Sequence, residues 1–443
     1  MRNSRIFGML GGVFLLGFAF GQQPLSLKQM TDSVLERNYA IRLVRITEES
    51  AAINNTPGAA GMSPSVGFVG SLQGSSNNTR QEYFSGDVRQ ANNAQNRSKN
   101  AAVQVNWTLF NGFYVQHTRD MLKMQEQLAH ANTVVQMENE LFSAASLYYE
   151  IIARKELLAN LDSTLRYSRL RFELAEKQLQ VGKGNRLEFL QSQLDLQADS
   201  AQWLQQKTQL KNLYLQLARQ MGANPDLSYQ LDGSFSLPPI MVLEDIKKLA
   251  QKQNSQVRLL KLQERLSNSQ LQRTKSARYP RLDIFTNYSF VNSQNAVGVL
   301  KQLQSLGPSA GLNVSYNIFN GNLVNRQIEQ ARLDVHRVNL QQEQNEYNLD
   351  IDVRQAFENY LLHRNLAEFE QKNQELAMEN LHLARIQLSV GAITPFQFRD
   401  VQLVQLAVES RYAQALFDLK VAELELMRLS GGLLQFLQSE ASN

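Results

Sequence analysis

Residues 101–124 read AAVQVNWTLFNGFYVQHTRDMLKM, and the period of the pattern changes at their centre. Up to Leu109 the apolar side chains Val103, Val105, Trp107 and Leu109 alternate with Gln104, Asn106 and Thr108. That is the two-residue period of a strand with one apolar face. Beyond Gly112 the spacing becomes three and four: His117, Met121, Met124, Leu128, Ala131, Val135, Glu138, Phe142, Ala145, Tyr149 and Ile152. All of these but His117 and Glu138 can form an apolar or aromatic seam, the register of a coiled coil held over several heptads. Residues 113–180 contain neither Pro nor Gly, so one helix of roughly 100 Å is predicted.

The same unit is written twice. Trp107-Thr108-Leu109-Phe110-Asn111-Gly112 recurs 209 positions later as Tyr316-Asn317-Ile318-Phe319-Asn320-Gly321. At that offset Val181-Gly182 recurs as Val390-Gly391, and Phe189, Gln193 and Leu194 recur as Phe398, Gln402 and Leu403. Met221-Gly222 matches Ser430-Gly431. Before the strands the offset is 216, pairing Leu27 with Leu243, Asn38 with Asn254 and Pro64 with Pro280. The seven extra residues fall between Pro64 and Trp107, where the polar stretch from Asn77 to Asn100 tolerates insertion.

The predicted organisation follows. Residues 22–235 form a first repeat with a helix over about 28–60, strands 65–77 and 101–110, a long helix 112–180 and a helix 186–222. Residues 236–432 form a second, with a helix 243–277, strands 280–293 and 309–319, a long helix 321–389 and a helix 396–430. Residues 433–443 are a tail, and 77–100 and 292–308 are loops between strands. In each repeat the two shorter helices, stacked end to end, match the long one in length. A cylinder can therefore be walled by long helices alternating with stacked pairs.

In the second repeat Leu282, Ile284, Tyr288 and Phe290 oppose Asp283, Asn287 and Ser289, and Leu312, Val314, Tyr316 and Ile318 alternate with Asn313, Ser315 and Asn317. Such strands fit a membrane barrel or two half-buried hairpins of a soluble sheet. Trp107, Tyr288 and Tyr316 fit a lipid–water boundary or serve as ordinary strand aromatics. Four strands cannot close, since the smallest membrane barrels have ~8. In lipid, several chains must share a barrel, and three would supply twelve strands.

The remaining composition is mostly exclusion. Aromatics are 8% and there are 9 Pro, a balance that suits long, half-wetted helices. Arg2 and Arg5, the apolar run Ile6 to Phe20 and Ala19-Phe20-Gly21 read as a secretory leader over residues 1–21. Cleavage is the expectation, with an uncleaved anchor as the other reading. Without Arg2 and Arg5 the chain carries 43 basic against 41 acidic residues, which gives no reason to expect nucleic acid as a partner. There are no cysteines, hence no disulfide, Cys-ligated metal or acylated N-terminal Cys. His117, His130, His336, His363 and His382 are scattered, and phosphate loops and nucleophile elbows are absent. Neither an enzyme nor a cofactor is expected.

Leu25-Ser26-Leu27, Asn38-Tyr39, the two aromatic-x-[Leu/Ile]-Phe-Asn-Gly strand exits and the Val-Gly turns at 181 and 390 together resemble the TolC-like outer-membrane efflux protein family. The resemblance covers both repeats. It implies a mainly α chain with transmembrane β: a homotrimer whose twelve-stranded barrel sits in the cell outer membrane, in contact with its lipid, and continues as a coiled-coil tunnel in the periplasm. The implied function is a passive export duct of a tripartite efflux or type I secretion system, docking to a periplasmic adaptor and an inner-membrane pump. A periplasmic or surface coiled-coil scaffold or adaptor without a pore is the alternative. It explains the helices but not the doubled strands.

The resemblance also carries site expectations. Family members place acidic residues six and nine positions after the turn glycine, around the constricted mouth. Glu188 and Asp400 match that pattern, whereas Gln191 and Gln397 depart from it. Glu188, Gln397 and Asp400 are the aperture candidates. Val181, Gly182, Lys183, Arg186, Val390, Gly391 and Arg399 are tip and adaptor-docking candidates, with Lys183, Arg186 and Arg399 placed to pair with the aperture carboxylates. Phe110, Asn111 and Gly112, with Phe319, Asn320 and Gly321, mark the strand-to-helix junctions, where glycine supplies backbone freedom.

Overall fold

The computed structural model describes residues 24–440 except 226–228, 232, 234, 236, 237 and 239. The leader expected over 1–21 and the repeat boundary at 235/236 therefore fall outside or beside the described residues. In chain order the elements are β1 (Pro24–Leu25), α1 (Leu27–Arg37), α2 (Tyr39–Asn54), β2 (Ser65–Glu82), β3 (Val88–Phe110), α3 (Tyr114–Gln180), α4 (Arg186–Met221) and β4 (Gln230–Leu231). They continue with α5 (Leu243–Gln253), α6 (Ser255–Lys275), β5 (Arg281–Gln294), β6 (Gln302–Ser315), α7 (Leu323–Ser389), α8 (Pro395–Ser430) and α9 (Leu433–Glu440). Among the described residues no helix is long and apolar enough to cross a membrane.

Four strands form one antiparallel sheet in the order β2-β3-β5-β6. Its register aligns apolar side chains in rows: Trp107–Ile284–Leu312, then Val66–Val105–Thr286–Ala310, then Phe68–Val103–Tyr288–Pro308. Phe68, Val103, Trp107, Tyr288 and Leu312 are all exposed on this face. The opposite face is mostly polar, with Val69, Phe285 and Leu303 exposed among Asn, Gln and Ser side chains. There the Thr108 hydroxyl donates to Asp283 Oδ1 at 2.7 Å and the Ser309 hydroxyl to Asn287 Oδ1 at 2.8 Å. β2 and β6 each leave one edge unpaired.

The strands depart from their expected limits. Residues 77–100 are not a loop: β2 and β3 pair up to Glu82↔Val88, leaving a turn over 83–87. Polar side chains there hide the strand from a hydropathy reading, while the backbone ladder makes its hydrogen bonds regardless. One irregularity at Asn77/Thr79 is absorbed by Asn93, held at φ 58°, whose N–H donates to Asn78 Oδ1. The second hairpin likewise closes over 295–301, and residues 316–319 lie beyond the strand.

The long helices are matched, at 67 residues each. The helices expected over 28–60 and 243–277 are each broken in two, at Asn38 and Asn254. Both asparagines have ψ near 126° and cap the following helix, Asn38 Oδ1 accepting from Ala40 and Ile41 and Asn254 Oδ1 from Val257. Only the second piece stacks on the helix rising from the tip. The Asn38 amide donates to Gln220 O at 2.9 Å and the Asn254 amide to Leu429 O at 3.0 Å, bridging the end-to-end joints α4/α2 and α8/α6. Packing then gives the wall order α2–α3–α6–α7 next to the sheet and α4–α3–α8–α7 away from it.

Around the joints α3 is nearly enclosed. Leu141, Ala144, Tyr148 and Ile151 pack with Met30, Val34, Ile41, Leu217, Met221, Leu424 and Leu433. The expected tail is helical from Leu433 to Glu440, because Leu433 and Leu437 repeat at helical spacing and are fully buried in this core. Buried Lys420 bonds Glu423 at 2.8 Å and Glu440 at 2.6 Å, and the Tyr149 hydroxyl donates to Glu440 at 2.6 Å. Burial and the adjoining carboxylate raise the Tyr149 phenol above its ordinary pKa, and burial raises Glu423 despite Lys420. Leu437→Ala is expected to destabilise the fold by about 2–5 kcal/mol, read as a lowered thermal midpoint.

Candidate functional site

The sheet and the two hairpin tips lie at opposite ends of the long helices. At the first tip α3 stops because Gly182 adopts φ 72°, letting the Lys183 N–H reach back to Gln178 O at 2.9 Å. Gly184 then passes so close that an added Cβ would sit 2.6 Å from Leu179 N. Asn185 caps α4 by accepting from Leu187 N–H. At the second tip Gly391 has φ 73° and the Ala392 N–H bonds Gln387 O at 2.8 Å. Thr394 and Gln397 form a reciprocal capping box, with Pro395 opening α8.

Among the aperture candidates, Glu188 and Asp400 are exposed and make no hydrogen bond or ion pair among the described residues. The Gln397 side-chain oxygen is already occupied, accepting from the Thr394 N–H at 2.9 Å. Its first role is therefore to start α8. Gln191 donates to Asp195 Oδ1 at 3.1 Å. Val181 and Val390 stand exposed at the two turns, and Lys183 and Arg186 are exposed and unpaired among the described residues.

Arg399 corrects its expected place. Among the described residues it pairs with neither Glu188 nor Asp400. Its side chain is 8% exposed and points into the wall, where Nη2 bonds Asp199 Oδ1 at 2.6 Å and Nη1 approaches Ser168 Oγ at 3.4 Å. The Ser168 hydroxyl donates to Asp199 Oδ2, closing a triangle between α3, α4 and α8. Arg171 and Asp195 pair beside it. The reason is topological. α8 packs against α3, so a residue five positions into α8 meets the interior of the first hairpin. Lys183 and Arg186 form no ion pair among the described residues, so the expected tip pairings are absent within one chain.

At the other end the junction motifs bend the backbone. Gly112-Phe113 and Gly321-Asn322 each put two consecutive residues at positive φ, and the helices begin only at Tyr114 and Leu323. Gly112 is also needed for space, since an added Cβ would fall 2.6 Å from Ser276 O. Asn111 Oδ1 accepts from Val115 N–H, and the Phe110 ring meets the edge of Phe113 at 5.5 Å. Phe319 is exposed, and the Asn320 carbonyl accepts from Leu323 N–H.

The sequence reading missed the Ser168–Asp199–Arg399 triangle. No apolar face singles it out in the sequence, because the buried faces at that level also carry Thr164 on α3 and Ser192 on α4.

The model of the family described as outer membrane efflux protein matches residues 30–223 and 247–432. No curated protein sequence matches the chain. Among solved structures, the Campylobacter jejuni CmeC outer membrane channel superposes with a TM-score of 0.76 at 15% identity, covering 94% of this chain and 89% of that one. CusC gives 0.72 at 15% identity with 92% of each chain covered. The outer membrane protein VceC from Vibrio cholerae gives 0.71 at 13%, covering 92% and 96%.

Proposed function

This chain belongs to the outer membrane efflux protein family, and from that premise we propose that three copies join edge to edge into one passive export duct. The observation that carries this reading is a pair of matching open edges. The sheet ends on unpaired β2 and β6 with its apolar face exposed, an arrangement that lipid does not tolerate. Pairing β6 of one copy with β2 of the next closes twelve strands, with the apolar face toward lipid and the polar face toward a lumen.

The helical wall has the same property. Its α7 edge exposes Leu362, Leu366, Phe369, Leu376 and Leu383 at spacings of three, four and seven, a second coiled-coil seam without a partner among the described residues. The other edge exposes Leu187, Leu190 and Leu194 on α4 and Leu43, Ile46 and Ile53 on α2. In a closed ring one neighbouring copy covers each. In this reading the barrel lies in the outer membrane, the tunnel reaches into the periplasm, and the tips meet the adaptor and pump of a tripartite efflux or type I secretion system. A pore-less scaffold leaves the apolar sheet face unexplained.

The test is the protein mass of the detergent-extracted complex, corrected for bound detergent, together with conductance in planar bilayers. Three chains and discrete channels are expected. A stable, non-conducting monomer defeats the reading. Asp400, exposed and unpaired, is the aperture residue of choice. Asp400→Asn should lower the cation-over-anion permeability ratio by about twofold or more, since three carboxylates leave one ring. An unchanged reversal potential removes Asp400 from the constriction.

A further inference from the structure

The outward face of the sheet changes character abruptly at one level. Its apolar rows begin with Leu282–Val314 and end with Gly70–Ala101–Phe290–Leu306. From Leu282 to Phe290 is a rise of roughly 27 Å along the strand. Tilted as barrel strands are, with side chains added at both ends, this matches an apolar band of about 25 Å. The next two rows on the same face are Leu72–Lys99–Asn292–Gln304 and Gly74–Arg97–Gln294–Gln302.

Lys99 and Arg97 thus stand one above the other at the end of the band farther from the helices. Both are exposed, and neither has an ion pair or hydrogen bond among the described residues. Among the described residues no acid pairs with them, and the nearest in the hairpin, Glu82 and Asp87, stand at its turn end. Residues 65–81, 88–110 and 284–315 contain no Asp or Glu, and Asp283 lies on the opposite face, held by Arg281. The flank on β2 is open, because an added Cβ at Gly74 would meet nothing within 4 Å. On the other flank Asn292, Gln294, Gln302 and Gln304 supply amide donors. The result is a shelf with a guanidinium, an ammonium and several amides, next to apolar surface and free of counter-charge.

We propose that this shelf, repeated in each copy, binds the phosphate of an anionic lipid headgroup in the outer leaflet, with the lipid's chains against Leu72, Phe290 and Leu306. Arg97 supplies the fork that matches phosphate oxygens and Lys99 a second charge. The inference rests on the duct reading, which sets the apolar rows in lipid.

The experiment uses the full-length complex and native mass spectrometry from detergent, with diphosphorylated lipid A, its dephosphorylated form and inorganic phosphate as separate probes. About three diphosphorylated lipids per complex should be retained, and Arg97→Gln/Lys99→Gln should weaken retention by about 25-fold, the product of ~5-fold per basic group. The dephosphorylated lipid should bind the two proteins alike. Equal retention of diphosphorylated lipid by both proteins overturns the proposal, as does millimolar inorganic phosphate displacing it fully, which marks a free-anion site. Trimer mass and conductance are measured on the same samples. If those fail in the unmodified protein the duct reading falls and takes this inference with it; if they hold while lipid retention is unchanged, only the lipid site is wrong.

Discussion

Asp199→Ala is expected to cost about 3–5 kcal/mol, because it leaves the buried Arg399 guanidinium facing Ser168 without its counter-ion. The readout is the temperature at which the purified protein loses its folded signal, with the unmodified protein as reference. The companion variant makes the argument specific. Asp199→Leu combined with Arg399→Leu removes both charges together and should recover most of the loss, since a well-packed apolar pair replaces a desolvated ionic one at little cost. If the single and double variants melt alike, the triangle is not desolvated and Arg399 is reached by water. Arg411→Ala is the control: its bond to Glu370 is half exposed, so a change within about 1 kcal/mol is expected.

Gly431→Ala should be at least as damaging, for a different reason. The residue sits at φ 76°, and an added Cβ would lie 2.4 Å from Gln253 O and 2.6 Å from Gln253 C. Both are backbone atoms fixed by the joint between α8 and α6, so relief requires the joint to open and the Asn254–Leu429 bond to lengthen. A loss of about 3 kcal/mol or more follows from combined strain and overpacking. Gly391 has nearly the same φ but nothing within 4 Å of the added atom. Gly391→Ala therefore isolates the backbone part, about 1–2 kcal/mol. Equal thermal midpoints for the two variants would show that the close approach at 431 relaxes freely.

Much of this architecture is legible in one sequence because it is written twice. The switch from alternation to three-and-four spacing at Gly112 marks the strand exit, and its recurrence at Gly321 removes the ambiguity of a single motif. What stays hidden is hidden for physical reasons. Residues 77–100 carry no apolar alternation, because both faces of that ribbon are wet and only the backbone ladder defines it. Asn38 and Asn254 interrupt helices without Pro or Gly, and their doubling is the one local sign that they act as caps. Arg399 reads as a solvated tip charge until α3 is known to run beside α8, a fact about neighbours that no local pattern contains. Gln397 shows the converse. Its place after Thr394 is a readable capping box, and that local role accounts for it before any aperture does.

The joints at Asn38/Gly222 and Asn254/Gly431 bear on how a wall of this kind can vary in length. Each long helix is one continuous rod, whereas its neighbour is two rods meeting at a fixed seam, like a plank laid beside two abutting bricks. An insertion in α3 on the tip side of the seam leaves the wall in register only if α4 gains the same number of residues, and the same holds for α7 and α8. Heptads added in matched sets on that side would lengthen the wall without disturbing the sheet. Unmatched additions would have to bulge at the tip or tear the seam.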